Sequence, residues 1–217
     1  MIPNATTLPG LLVPDATYNL NGGIKPTARR TADLDGPDFF PTPAWATKAL
    51  LAVEIFVGPV WEPACGDGAM AKVLAAHGYE VAASDLYDRG YGGAGTNFLT
   101  ADRRVANIVT NPPYNSAEQF IDAALRQATG KVAMLLRLAF LEGVSRHRTL
   151  FKVNPPSRVW AFSERVTFAP AGSSITTGGT TAYAWFVWDK GGDRSTVLGW
   201  LPLGYKRGLL TDEETLI

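Results

Sequence analysis

A single cysteine, Cys65, stands among 217 residues, so the chain closes no disulfide of its own and builds no cysteine-rich zinc site. Long apolar runs are missing too. The longest, such as Val132 to Leu136 and Ala182 to Trp188, are far too short to span a bilayer as a helix. No charged segment followed by an apolar stretch opens the chain, so no signal peptide is expected. Charge is sparse, at 18% of residues against 46% apolar, which excludes a disordered polyelectrolyte and suits one globular domain with a sizeable core. Together these absences point to a cytoplasmic protein without membrane contact and without a bound metal.

The formal net charge is +0, but the charges are unevenly spread. Residues 31–102 carry ten Asp and Glu against three Lys and Arg, and residues 103–210 carry six against fourteen. The second stretch includes Arg137, Arg146, Arg148, Lys152, Arg158 and Arg165. It reads either as a solvated basic face or as a surface for phosphates.

Prolines 3, 9, 14, 26 and 37 interrupt the first 37 residues, which predicts an irregular arm. Pro43 then opens a helical pattern, Ala44 to Phe56. Beyond it, strand and helix signals alternate. Strands are expected at Val57 to Trp61, Glu80 to Ser84, Val105 to Thr110 and Val132 to Arg137, with helices at Ala69 to His77 and Ala117 to Ala128. Arg158 to Phe162 and Ala182 to Trp188 read as further strands, the last in a closing hairpin. The fold class is α/β, a mostly parallel sheet with helices on both faces. The expected organisation is an arm over 1–37, one domain over 38–190, and a tail over 191–217 packed on it.

Two segments carry chemistry. Glu62-Pro63-Ala64-Cys65-Gly66-Asp67-Gly68 joins a strand to a helix, where small residues admit a ligand and the helix start offers free N–H groups. It has neither the spaced glycines of dinucleotide enzymes nor the Lys-Ser/Thr of a phosphate loop, which favours a nucleoside with a small charged tail over a pyrophosphate. A tight turn without a ligand is the plainer reading. Asp85 ends the next strand, placed either to accept ribose hydroxyls or to begin a turn. The second segment, Asn111-Pro112-Pro113-Tyr114, follows the β-branched run Asn107 to Thr110. Its prolines stiffen a loop at a strand's carboxyl end, so that an amide oxygen, a carbonyl and an aromatic plane can hold a planar amino group.

Phe40-Pro41-Thr42-Pro43, the Glu62–Gly68 segment, Asp85 and Asn111–Tyr114 together resemble the S-adenosylmethionine-dependent DNA amino-methyltransferases, adenine-N6 members above all. The resemblance spans about residues 38–190. It implies a single Rossmann-like domain with a seven-stranded sheet and a C-terminal antiparallel hairpin. It also implies that Thr42 and the loop residues Glu62, Pro63, Ala64, Gly66, Asp67 and Gly68 hold the methionine end of S-adenosylmethionine, with Phe40 also binding the cofactor. Asp85 would then take its ribose, Asn97 and Phe98 would contact its adenine, and Leu86 would also bind the cofactor. Asn111, Pro112, Pro113 and Tyr114 would form the catalytic loop. Phe168, in Ser163-Glu-Arg-Val-Thr-Phe168, would face Tyr114 across an extruded base, unless it is simply a core aromatic.

Little length remains for a target-recognition region, since 12 residues separate Phe98 from Asn111 and 29 follow Trp188. The resemblance therefore implies short or relaxed site recognition, of the kind phage-borne members show, and the basic stretch, read as a phosphate surface, puts Arg146 and Arg148 at the phosphates. The expected partner is DNA, single-stranded or with its base flipped, for a monomer or homodimer. RNA adenine, cytosine N4 and protein glutamine are rival substrates. A non-catalytic module that binds S-adenosylmethionine or DNA is the rival from another class.

Overall fold

Four β-branched and apolar runs, three of them buried along most of their length and one half-buried at the sheet edge, line up side by side as the parallel part of a seven-stranded sheet. The computed structural model describes residues 40–168, 180–192 and 195–208; the expected arm over 1–37 lies outside them. The strands are β1 (Val60–Glu62), β2 (Val81–Ala83), β3 (Asn107–Thr110), β4 (Lys131–Arg137), β5 (Arg158–Ala161), β6 (Tyr183–Asp189) and β7 (Val197–Trp200). Their order is β2-β1-β3-β4-β6-β5-β7. Strands β2, β1, β3 and β4 are parallel, β6 runs antiparallel between β4 and β5, and β7 is parallel to β5.

Helices cover both faces, and β4 shows why. Val132, Met134 and Leu136 join one core cluster with Phe120, Ile121 and Ala124 of α3 (Ala117–Gln127). Ala133 and Leu135, pointing the other way, join a second cluster with Leu50 of α1 (Ala44–Leu51) and Met70 and Leu74 of α2 (Ala69–Ala76). That period of two is what a strand buried on both sides requires.

Three expected boundaries move furthest. Helix α1 stops at Leu51 rather than Phe56, because the chain extends beyond it: Ile55 and Val57 face solvent while Phe56 between them is buried. Strand β1 begins at Val60 rather than Val57, since Gly58 takes a φ of +88° that breaks the extended run. The stretch read as a tail supplies β7, so the sheet continues past residue 190. Gly199 at its centre is required there, because a Cβ would lie 2.2 Å from the ring of its partner Trp160. The antiparallel C-terminal pair is β5 with β6, and β7 adds outside them.

The chain leaves β1 for β2 on one side and returns to β3 on the other. The carboxyl ends of β1 and β3 therefore flank a topological switch point, where open α/β sheets bind ligands.

Candidate functional site

The loop after β1 is held as a rigid cradle. Its Cys65 N–H donates to the Ser84 carbonyl (3.1 Å), and its Gly66 N–H donates to Asp85 Oδ2 (2.9 Å). Gly68, at φ +78°, turns the chain into α2, with the Tyr91 ring seated where its Cβ would be. Asp67 Oδ1 accepts from the Ala69 N–H (3.0 Å), filling a free donor of the first turn. Pro63, Gly66 and Gly68 are buried, with Ala64 and Asp67 half-buried beside them. Cys65 is a packing residue: burial, then the neighbouring Glu62 and Asp85, push its thiol up to about 12, far from a nucleophile's range.

Glu62 closes the floor of this cradle. Burial holds its carboxyl well above the ordinary value of 4.5; the Ala71 N–H offsets part of that, and Asp67 and Asp85 add to it. Its Oε2 is buried without a hydrogen-bond partner.

Asp85 has a structural duty besides any ligand. Its second oxygen, Oδ1, accepts from the Tyr87 N–H (2.9 Å), so the one carboxylate ties β2's end to the glycine loop. Asp85→Ala leaves the buried Gly66 N–H unpaired and is expected to cost about 1–3 kcal/mol of stability. Denaturant unfolding should show a lower midpoint with an unchanged slope; an unchanged midpoint would refute the clamp. Leu86, next along, is exposed. Asn97 is also exposed, its Oδ1 accepting from the Leu99 N–H (3.1 Å). Phe98 is a core residue instead, 2% exposed, with its ring 5.2 Å from Trp61 and 5.0 Å from Phe120. Of the two expected adenine neighbours, only Asn97 is open to solvent.

At the end of β3 the two prolines behave as their chemistry dictates. Pro112 is buried, and Pro113, at φ −56°, starts the 3-10 turn Tyr114–Ser116 that feeds α3. Asn111 Nδ2 donates to Thr42 Oγ1 (3.1 Å), joining the Phe40–Pro43 segment to this loop. That bond orients the amide, leaving Oδ1 buried and without a partner. The Tyr114 hydroxyl is buried beside Asn111 and Tyr183, and burial pushes its phenol far above the ordinary value. Thr110 Oγ1 at the end of β3 and Glu62 Oε2 at the end of the adjacent β1 are likewise buried without partners. Buried polar atoms are ordinarily paired, so the unpartnered acceptor of Asn111 suits a polar ligand at this strand end.

The aromatic arrangement departs from expectation. Tyr183, at the start of β6, lies 5.9 Å from Tyr114 and 5.1 Å from Phe168, so it stands between them. Arg137, at the end of β4, sets its guanidinium 5.0 Å from the Tyr114 ring centre. Sequence reading missed Tyr183 altogether and gave Arg137 no special place. Their strand-end positions were the available signal, but the register that pairs them was not.

The basic stretch is partly consumed inside the protein. Arg146 donates to the carbonyls of Phe140 (3.0 Å) and Glu142, pairs with Glu118 (3.5 Å) and lies over the Phe140 ring. Arg158 and Lys131 are bound by Glu54. Arg148 is exposed on the neighbouring helical turn.

No protein-family model matches the chain, and no curated protein matches it. Solved structures do. One, assigned as the modification subunit of a type I restriction enzyme from Vibrio vulnificus, aligns at 16% identity and TM-score 0.53 over 80% of this chain and 49% of that one. The chain thus spans about half that protein's length. Another, assigned as an RNA methyltransferase from Pyrococcus horikoshii, aligns at 13% identity and TM-score 0.50 over 68% of this chain and 81% of that one. These likenesses establish the fold, a Rossmann-like sheet with helices on both faces.

Proposed function

We propose that this protein is an S-adenosylmethionine-dependent methyltransferase acting on the exocyclic amino group of adenine in DNA. One observation carries the reading. Asn111 Oδ1 is a buried, oriented acceptor with no partner, at the carboxyl end of β3 beside the switch point.

The residues present fit the cofactor. Glu62 Oε2 is an unpartnered acceptor suited to an ammonium, and such a partner would relieve its cost of burial. Thr42, Pro63, Ala64, Gly66, Asp67 and Gly68 would enclose the methionine end, with Phe40 nearby. Asp85 keeps lone pairs for ribose hydroxyls beyond the two it uses, and Leu86 and Asn97 would border the adenine. When bound, the cofactor supplies an electrophilic methyl group on a sulfonium sulfur.

The chain's own part is to make a poor nucleophile competent. An exocyclic amino nitrogen shares its lone pair with the ring. Accepting its two N–H groups at Asn111 Oδ1 and the Pro112 carbonyl favours a tetrahedral nitrogen and stabilises the positive charge that develops on it. The stiff loop holds that nitrogen in line, and the Tyr114 ring offers a stacking face. The base must be flipped or single-stranded to arrive there. The nucleic-acid substrate is supported by the likeness to a restriction-modification subunit and by the exposed Arg148.

The test is methyl transfer from labelled S-adenosylmethionine to single- and double-stranded DNA, RNA and protein, followed by nucleoside mass spectrometry. N6-methyl-2′-deoxyadenosine is expected. Label confined to RNA, cytosine or protein would overturn the substrate assignment, and no transfer to any of them would overturn the enzyme.

A further inference from the structure

Arg137 ends β4 directly across the ladder from Tyr183. Its side chain is exposed, and among the described residues no Asp or Glu pairs with it. Its guanidinium instead lies over the ring of Tyr114, 5.0 Å from the centre. Tyr183 is tilted against the same ring, at 38° and 5.9 Å. A base stacking on Tyr114 therefore meets a planar, delocalised cation already on that ring. Guanidinium and base compete for one kind of contact.

We propose that Arg137 is a substrate-positioning residue: it covers the Tyr114 ring in the free protein, yields that face to the incoming base, and turns its guanidinium onto a phosphate of the same nucleotide. This rests on the amino-methyltransferase reading. Because Arg137 is itself open to water, its contact with the half-buried Tyr114 ring is weakly held, whereas a forked, charge-assisted contact to phosphate is stronger. The exchange is thus favourable only when the base arrives with a phosphate. A bare nucleoside must displace Arg137 and gives it nothing in return.

That asymmetry supplies the test. Inhibition of single-stranded DNA methylation by deoxyadenosine and by its 5′-monophosphate is measured at saturating S-adenosylmethionine, for the native chain, Arg137→Met and Arg137→Lys. The native chain should prefer the monophosphate by about tenfold. Arg137→Met should lose that preference while binding the nucleoside at least as well as the native chain. Arg137→Lys should retain part of the preference, because it keeps the charge but not the fork. Cofactor affinity and thermal unfolding should not change. An undiminished preference in Arg137→Met overturns the proposal. So does an equal weakening of both inhibitors, which would mean that Arg137 merely props Tyr114. Should the native chain methylate no nucleic acid, the functional reading fails and this inference with it. If it methylates DNA and the preference is unmoved, the inference alone fails.

Discussion

Replacing Asn111 by alanine is expected to lower kcat for methyl transfer by about 10²–10³-fold, the usual consequence of deleting one preorganised polar group from the reacting centre. Oδ1 has no competing internal partner, so its whole hydrogen-bonding capacity is available to the amino group. Cofactor affinity should change far less, since the amide touches that region only through Thr42 Oγ1. Asn111→Asp separates the two roles. It keeps an acceptor at the Oδ1 position but loses the N–H that Thr42 accepts, so partial activity with less well-oriented geometry is expected. Single-turnover kinetics alongside calorimetric titration of the cofactor measures both. An alanine variant that turns over at the native rate removes Asn111 from the chemistry.

The residues at the site were legible wherever chemistry is written locally. Two prolines after a β-branched run dictate a stiff loop, and small residues between a strand and a helix dictate a tight cradle. Both lie at strand carboxyl ends in the structure. What stayed hidden depends on register. The insertion of β6 between β4 and β5 sets Tyr183 against Arg137, and no local pattern encodes that pairing. It also puts Tyr183 where an open gap between Tyr114 and Phe168 was expected. Strand β7 went unread because Gly199, a weak strand residue in isolation, answers to the Trp160 ring on the neighbouring strand. Phe98 was assigned to a ligand from its place after a motif, while its burial follows from Trp61 and Phe120, distant in sequence. The basic stretch misled for the same reason: charges counted along the chain do not reveal which are matched inside the fold.

Glu54 is the clearest case of such matching, and it carries the largest expected effect on stability. It follows α1 and is 3% exposed. Its Oε1 accepts from Trp160 Nε1 (2.9 Å) and Arg158 Nε, and its Oε2 accepts from Lys131 Nζ (2.7 Å) and Arg158 Nη2 (3.1 Å). Asp189 Oδ2 completes the group at 3.0 Å from Arg158. One carboxylate thereby joins the end of α1 to β4 and β5, while Asp189 adds β6. Breaking a buried pair from one side costs about 3–5 kcal/mol. Arg158 and Lys131 keep roughly a quarter of their side-chain surface in water, so the lower end, about 3 kcal/mol, is expected for Glu54→Ala. Burial alone would raise the pKa of Glu54, but the bonds from Arg158, Lys131 and Trp160 hold it below the ordinary 4.5. A carboxylate depressed in the folded state stabilises above its unfolded pKa, and that contribution is lost as pH falls through the folded one. Glu62 has the opposite sign: its raised pKa gives stability that is present at low pH and lost as pH rises through the folded value. The two cannot be confused in a pH series. Unfolding free energy of the native chain should fall below pH 4.5, and that fall should be shallower in Glu54→Gln, where no carboxylate remains to be protonated. A Glu54→Ala chain as stable as the native one, or an acid limb unchanged in Glu54→Gln, would show that solvent already screens this cluster and that packing alone holds α1 to the sheet.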